Sequence, residues 1–202
     1  MKICCMGDSI TYGYGLEDLS CRWTDLVAKR TGHTLINLGI SGDTTTGMLA
    51  RCQTEVFPCE PDAIILLGGV NDIAYTMDYR QVCANMVSMT RQAIVKDLKI
   101  FIGLPLPVVP AVMPQIPWDP ERNHAKVAAL LEPYSNFLKH DGTNKGFHIV
   151  DFRSQFLNPD GSPKNELFLD GVHPNAEGHR LMAEVLCRVL EEAGYCSETE
   201  SP

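Results

Sequence analysis

Ala63-Ile64-Ile65-Leu66-Leu67-Gly68-Gly69-Val70-Asn71-Asp72 is the stretch that decides the fold. Its first half is apolar throughout, the pattern of a parallel strand covered on both faces. Glycines end it, and an amide and a carboxylate follow at once. The same arrangement recurs to either side. Upstream, Ile3-Cys4-Cys5-Met6 runs into Gly7-Asp8-Ser9, and Leu35-Ile36-Asn37-Leu38 into Gly39-Ile40-Ser41-Gly42-Asp43. Downstream, Ile100-Phe101-Ile102 opens onto Leu104 to Trp118, too rich in proline for helix or central strand and so read as a long, stiff loop. His148-Ile149-Val150 is the fifth run. A polar loop from Arg153 to Asp170 then leads to Asp170-Gly171-Val172-His173.

Helical spacing fills the intervals. Trp23, Leu26, Val27 and Arg30 share one face and Gly32 supplies a stop. Further helices are expected over Thr44 to Cys52, Tyr79 to Val95, Pro120 to Leu138 with a bend at Pro133, and Asn175 to Ala193, closed by Gly194. Strands alternating with helices imply a parallel sheet with helices on both faces. Right-handed crossovers then bring every strand's C-terminal end to one edge, where ligands bind in such folds. No composition shift or repeat marks a boundary, so residues 1–202 are read as a single domain with a tail frayed from about residue 195.

The chain has 202 residues, comfortable for one domain and tight for two, with 45% hydrophobic and 21% charged residues. No apolar stretch approaches the roughly 20 residues of a membrane span. Lys2 is followed by only four apolar residues before Gly7-Asp8, short of a signal segment, so a cytoplasmic location is expected. A formal charge of −8 repels polyanions and argues against nucleic acid or anionic membranes as partners. The eight cysteines are scattered and lack Cys-x-x-Cys spacing, so reduced structural thiols are expected and no metal site. A phosphate loop would need Gly-Lys-Ser/Thr after Gly7 to Gly15, and no lysine is there. No cofactor is called for, and nothing in the sequence speaks to oligomeric state.

Turn chemistry alone would place Gly, Asp, Asn and Ser at all these strand ends. It does not account for their complementarity. A serine hydroxyl needs a base, which His173 can be. Asp170, three residues earlier in a Gly turn, can accept from the other ring nitrogen and stabilise the imidazolium. A tetrahedral oxyanion needs donors, and the N–H groups of Ser9 and Gly42 and the Asn71 amide are candidates.

These blocks resemble the SGNH hydrolase family, the GDSL-like esterases and lipases, whose motifs centre on Ser, Gly, Asn and His in that order. Ser9, Gly42, Asn71 and His173 match all four, from Gly7 to Pro174, with Ile10 in place of the leucine of the family's name. The resemblance implies a flavodoxin-like three-layer α/β/α sandwich around a five-stranded parallel sheet. It also implies the roles reasoned above, with Ser9, Asp170 and His173 catalytic.

Ser41 is a rival nucleophile but fits no family block, and Gly-x-Ser-x-Gly occurs at neither site. Asp8 reads as a turn brace or a substrate contact, and Asp72 as a turn brace. Leu106, Val108 and Trp118 in the proline-rich loop are candidates for a substrate wall, the alternative being that they pack the loop onto the domain. The expected reaction is hydrolysis of small esters, short-chain acyl or acetyl, including acetylated sugars, through an acyl-enzyme. Acyl transfer to another acceptor, thioester or lysophospholipid hydrolysis, and a non-catalytic binding role are the alternatives.

Overall fold

The computed structural model describes residues 1–113 and 123–196. Five strands, β1 (Lys2–Gly7), β2 (Thr34–Gly39), β3 (Ala63–Leu67), β4 (Lys99–Gly103) and β5 (His148–Val150), form one parallel sheet in the order β2-β1-β3-β4-β5. The helices are α1 (Ser9–Tyr12), α2 (Trp23–Thr31), α3 (Thr45–Arg51), α4 (Val70–Thr76), α5 (Arg80–Val95), α6 (His124–Asn144), α7 (Phe152–Gln155) and α8 (Ala176–Glu192). Every crossover is a parallel βα connection, which brings the strand ends to one edge.

The period-2 alternation of each strand divides the core in two. Ile3, Cys5, Ile65, Leu67 and Phe101 face one layer, where Trp23 and Val27 of α2 meet Met182, Leu186 and Leu190 of α8. Cys4, Met6, Ile64, Leu66 and Ile102 face the other, covered by Met48 of α3, Met86 and Met89 of α5 and Leu131 and Tyr134 of α6. This is the three-layer α/β/α arrangement expected. β3 is buried at all five positions, which is why it reads as an unbroken apolar run.

Differences from the expected elements have local causes. A short helix, α4, follows β3 where a turn was read; its N-cap is Gly69, with no side chain to announce a helix. The helix after β2 continues past Arg51 as a single π-helical stretch over Cys52–Val56. α6 runs beyond Leu138 to Asn144 with Pro133 inside it, and residues 120–122 of the expected start lie outside the described residues. The polar loop holds α7 and carries Phe156, Leu167 and Phe168 into the core. All eight cysteines are free, five of them buried. No helix of the described residues is long and apolar enough to cross a membrane.

Candidate active site

Ser9 opens α1 directly after β1. Asp8 caps the helix, its Oδ1 accepting from the Ile10 N–H at 2.9 Å. α1 packs so closely on the end of β2 that a Cβ at Gly39 would lie 2.2 Å from the Tyr12 nitrogen, so glycine is required there. This tight reversal holds Ser9 at the C-terminal end of β1, beside the end of β2.

The loop before α8 supplies the partners. The Ser9 hydroxyl lies 2.9 Å from His173 Nε2, and His173 Nδ1 lies 2.7 Å from Asp170 Oδ2. A carboxylate only accepts, so Nδ1 carries the proton and Nε2 is free to accept from Ser9. Asp170 does two tasks at once. Oδ2 holds the ring while Oδ1 accepts the N–H groups of Val172, at 3.0 Å, and His173, at 2.9 Å. Burial pushes the Asp170 carboxyl up, but those hydrogen bonds and the His173 charge outweigh it and hold the group below its ordinary value. The loop is fixed by the Leu169 N–H to the His173 carbonyl at 2.8 Å and by the Val109 N–H to the Gly171 carbonyl at 2.7 Å. Tyr14 lies over the imidazole, ring centroids 4.5 Å apart.

Beyond β2, Gly42 sits at φ 80°, a left-handed conformation that suits glycine, inside the turn closed by the Asp43 N–H on the Ile40 carbonyl. Asn71 lies in the first turn of α4. Its Nδ2 donates to the Asp43 carbonyl at 2.8 Å, which spends one amide hydrogen on holding the Gly42 loop and leaves the second. Among the described residues no protein acceptor takes the N–H of Ser9 or Gly42. The ends of three strands thus carry a hydroxyl hydrogen-bonded to an imidazole, two backbone N–H groups and a side-chain amide.

Two residues that sequence reading missed hold this edge together. Arg51 donates to the carbonyls of Gly7 (3.1 Å) and Leu38 (2.8 Å), to Asp43 Oδ2 (2.8 Å) and to Glu55 (2.7 Å). It therefore ties the ends of β1 and β2 to the Gly42 loop. Tyr134 of α6 donates to the Gly68 carbonyl at 3.0 Å, and burial keeps its phenol protonated. The spacing Asp43-Arg51-Glu55, with i,i+4 between the last two, was the available signal for Arg51.

Other expected site residues fall elsewhere. Asp8, read as a turn brace or a substrate contact, is 2% exposed and braces its own turn through Oδ1; burial, with Asp43 and Asp72 nearby, pushes its carboxyl up to about 7 despite the Ile10 hydrogen bond. Leu106 and Val108, at 1% and 3% exposed, face the two core layers and pack the loop onto the domain instead of forming a wall. Trp118 lies outside the described residues. Asp72 does not brace its own turn: it accepts from the Thr45 N–H at 2.9 Å and the Thr45 hydroxyl at 2.7 Å, joining α4 to the start of α3. Ser41 is exposed, and no histidine is hydrogen-bonded to it among the described residues. No cluster of metal-ligating side chains occurs among the described residues.

Residues 5–181 match the GDSL-like Lipase/Acylhydrolase family. The chain belongs to that family. It is 28% identical over 175 residues to Esterase TesA of Pseudomonas aeruginosa, an alignment covering 84% of this chain and 77% of the relative. It is 24% identical over 176 residues to an acetylxylan esterase of Geobacillus stearothermophilus, covering 81% and 75%. Among solved structures, the lipase/acylhydrolase from Enterococcus faecalis shares the fold with a TM-score of 0.76 at 23% identity, covering 99% of both chains. As a GDSL-like acylhydrolase, the chain is a carboxylic ester hydrolase.

Proposed function

We propose that this acylhydrolase cleaves small carboxylic esters through an acyl-enzyme on Ser9, with His173 as general base and then general acid and Asp170 as its orienting partner. The observation that carries this is the unbroken line from Ser9 Oγ through the imidazole to Asp170, 2.9 Å and 2.7 Å. Ser9 Oγ attacks the ester carbonyl while its proton passes to His173 Nε2. The N–H groups of Ser9 and Gly42 and the remaining Asn71 hydrogen receive the oxyanion. His173 then protonates the leaving alkoxide, and water, activated by the same nitrogen, releases the acid. Short-chain acyl groups, acetyl foremost, are the substrates proposed; two of the relatives found are acetylxylan esterases. Gly42 is exposed, so the site admits water as the acceptor. Eight free thiols suit a reducing, cytoplasmic compartment.

Ser9→Ala should abolish both ester turnover and labelling by a fluorophosphonate while the fold is retained. Turnover that survives in the alanine protein would remove Ser9 from the chemistry. An acyl series of esters of one alcohol, acetyl to octanoyl, should peak at the short end.

A further inference from the structure

His173 Nε2 hands its proton to the departing oxygen, so the leaving alcohol must lie on the His173 side of Ser9, opposite the Gly42 and Asn71 donors. On that side Tyr14, 50% exposed, covers the imidazole, and Leu169, 51% exposed, is hydrogen-bonded to His173 through its backbone. A cavity of about 420 Å³ lies between the stretch that follows α1 and the loop before α8, lined by Gly15, the chain neighbour of Tyr14, and by Leu169. That is within the roughly 300–1,000 Å³ of small-molecule sites. Gly15, Leu16, Cys21 and Leu169 form its apolar walls, and Glu17 and Asp18 are its charged groups.

Its polar groups are largely spent. Asn175 donates to the Glu166 carbonyl and accepts from the Gly178 N–H. Asp18 accepts from the Ser20 N–H and hydroxyl, at 2.8 Å each. A sugar hydroxyl entering here would lose water and find few partners, whereas an apolar ring would lose nothing. Both formal charges in the walls are negative, which disfavours an anionic alcohol.

We propose that this cavity is the leaving-group subsite and that it takes the uncharged, apolar body of the alcohol, an aryl or cycloalkyl carbinol, in a short-chain ester. The proposal rests on the serine esterase reading above. In the step concerned, the C–O bond of the tetrahedral intermediate breaks, its electron pair goes to the leaving oxygen, and the proton carried by His173 Nε2 joins it to give the free alcohol.

The test holds the acyl group constant and varies the alcohol: methyl acetate, benzyl acetate, 4-carboxybenzyl acetate and a peracetylated methyl xyloside, followed in a pH-stat. Benzyl acetate should exceed methyl acetate in kcat/KM by about tenfold or more, the scale set by apolar pocket contacts. 4-Carboxybenzyl acetate should fall below benzyl acetate. Leu16→Trp, which fills the cavity from its other wall, should cost benzyl acetate most of that advantage and leave methyl acetate within about twofold, too small an effect to be an apolar contact. Glu17→Lys should narrow the gap between the carboxylated and plain benzyl esters. Equal losses for methyl and benzyl acetate in Leu16→Trp, or the xyloside outrunning benzyl acetate, would overturn the subsite. Failure to hydrolyse even methyl acetate would overturn the esterase reading, and the subsite with it.

Discussion

Replacing Asp8 with asparagine should stabilise the protein at pH 8, although the residue precedes the serine and caps its helix. The Asp8 carboxyl is buried, with the Asp43 and Asp72 carboxylates near it, and is held up at about 7 against an ordinary 3.8. Below pH 3.8 it is protonated in both the folded and unfolded chain and costs nothing. As pH rises the unfolded chain ionises first while the folded chain keeps its proton, so stability falls, and the loss is complete once pH passes about 7. The accumulated penalty is on the order of 4 kcal/mol at pH 8 and about 2 kcal/mol at pH 5. Asparagine carries no charge to desolvate, and its Oδ1 can still accept the Ile10 N–H that Asp8 now binds at 2.9 Å. The gain of Asp8→Asn over the native protein should therefore double, roughly, from pH 5 to pH 8. Urea unfolding at several pH values measures it through the midpoint, with the slope unchanged. A gain independent of pH would mean that Asp8 is ionised throughout, and a loss at pH 8 would mean that its charge stabilises the cap.

A second buried group pulls the other way. Burial, with the Arg22 and His173 charges, lowers His179 to about 4 from an ordinary 6.5. Its stability contribution is intact above pH 6.5 and is lost as pH falls to about 4, on the order of 3 kcal/mol in all; His179→Asn, which keeps an acceptor for the Trp23 N–H, should abolish that acid loss in the same urea series. Asp170→Asn should leave the loop folded and lower kcat by about 10⁴, because the imidazole loses its tautomer and its counter-charge; single-turnover kinetics with kcat within tenfold would refute the role. Asn71→Ala should lower kcat by about 10² to 10³ with little change in KM if the amide serves the oxyanion, whereas a change in KM alone would assign it to ground-state binding. Arg51→Met leaves Asp43, 11% exposed, without its cation; it should destabilise the protein by about 3 kcal/mol in urea and depress kcat, and an unchanged kcat would detach Arg51 from the oxyanion loop.

What could be read from the sequence and what could not are divided by a physical criterion. The strands could be read because Ala63–Leu67 is buried on both faces and contains nothing else, and the five runs keep their period. That Ser9, His173 and Asp170 meet could be read because their side chains are complementary to one another, hydroxyl to imidazole to carboxylate, whatever the backbone between them does. Arg51 and Tyr134 could not, because their partners are carbonyls: Gly7, Leu38 and Gly68 each offer the same oxygen that any residue would. Only the fold says which carbonyls meet which donor. Leu106 and Val108 fail for a related reason, since the same apolar letters serve a core or a pocket wall. The loop that carries them is tied down by backbone again, the Val109 N–H held by the Gly171 carbonyl. The proposed reacting groups are thus specified by side-chain chemistry, and their spacing by main-chain hydrogen bonds that leave no mark in residue identity. A substitution at Arg51 or Tyr134 should therefore reach the site through geometry, moving kcat with no change in which atoms react.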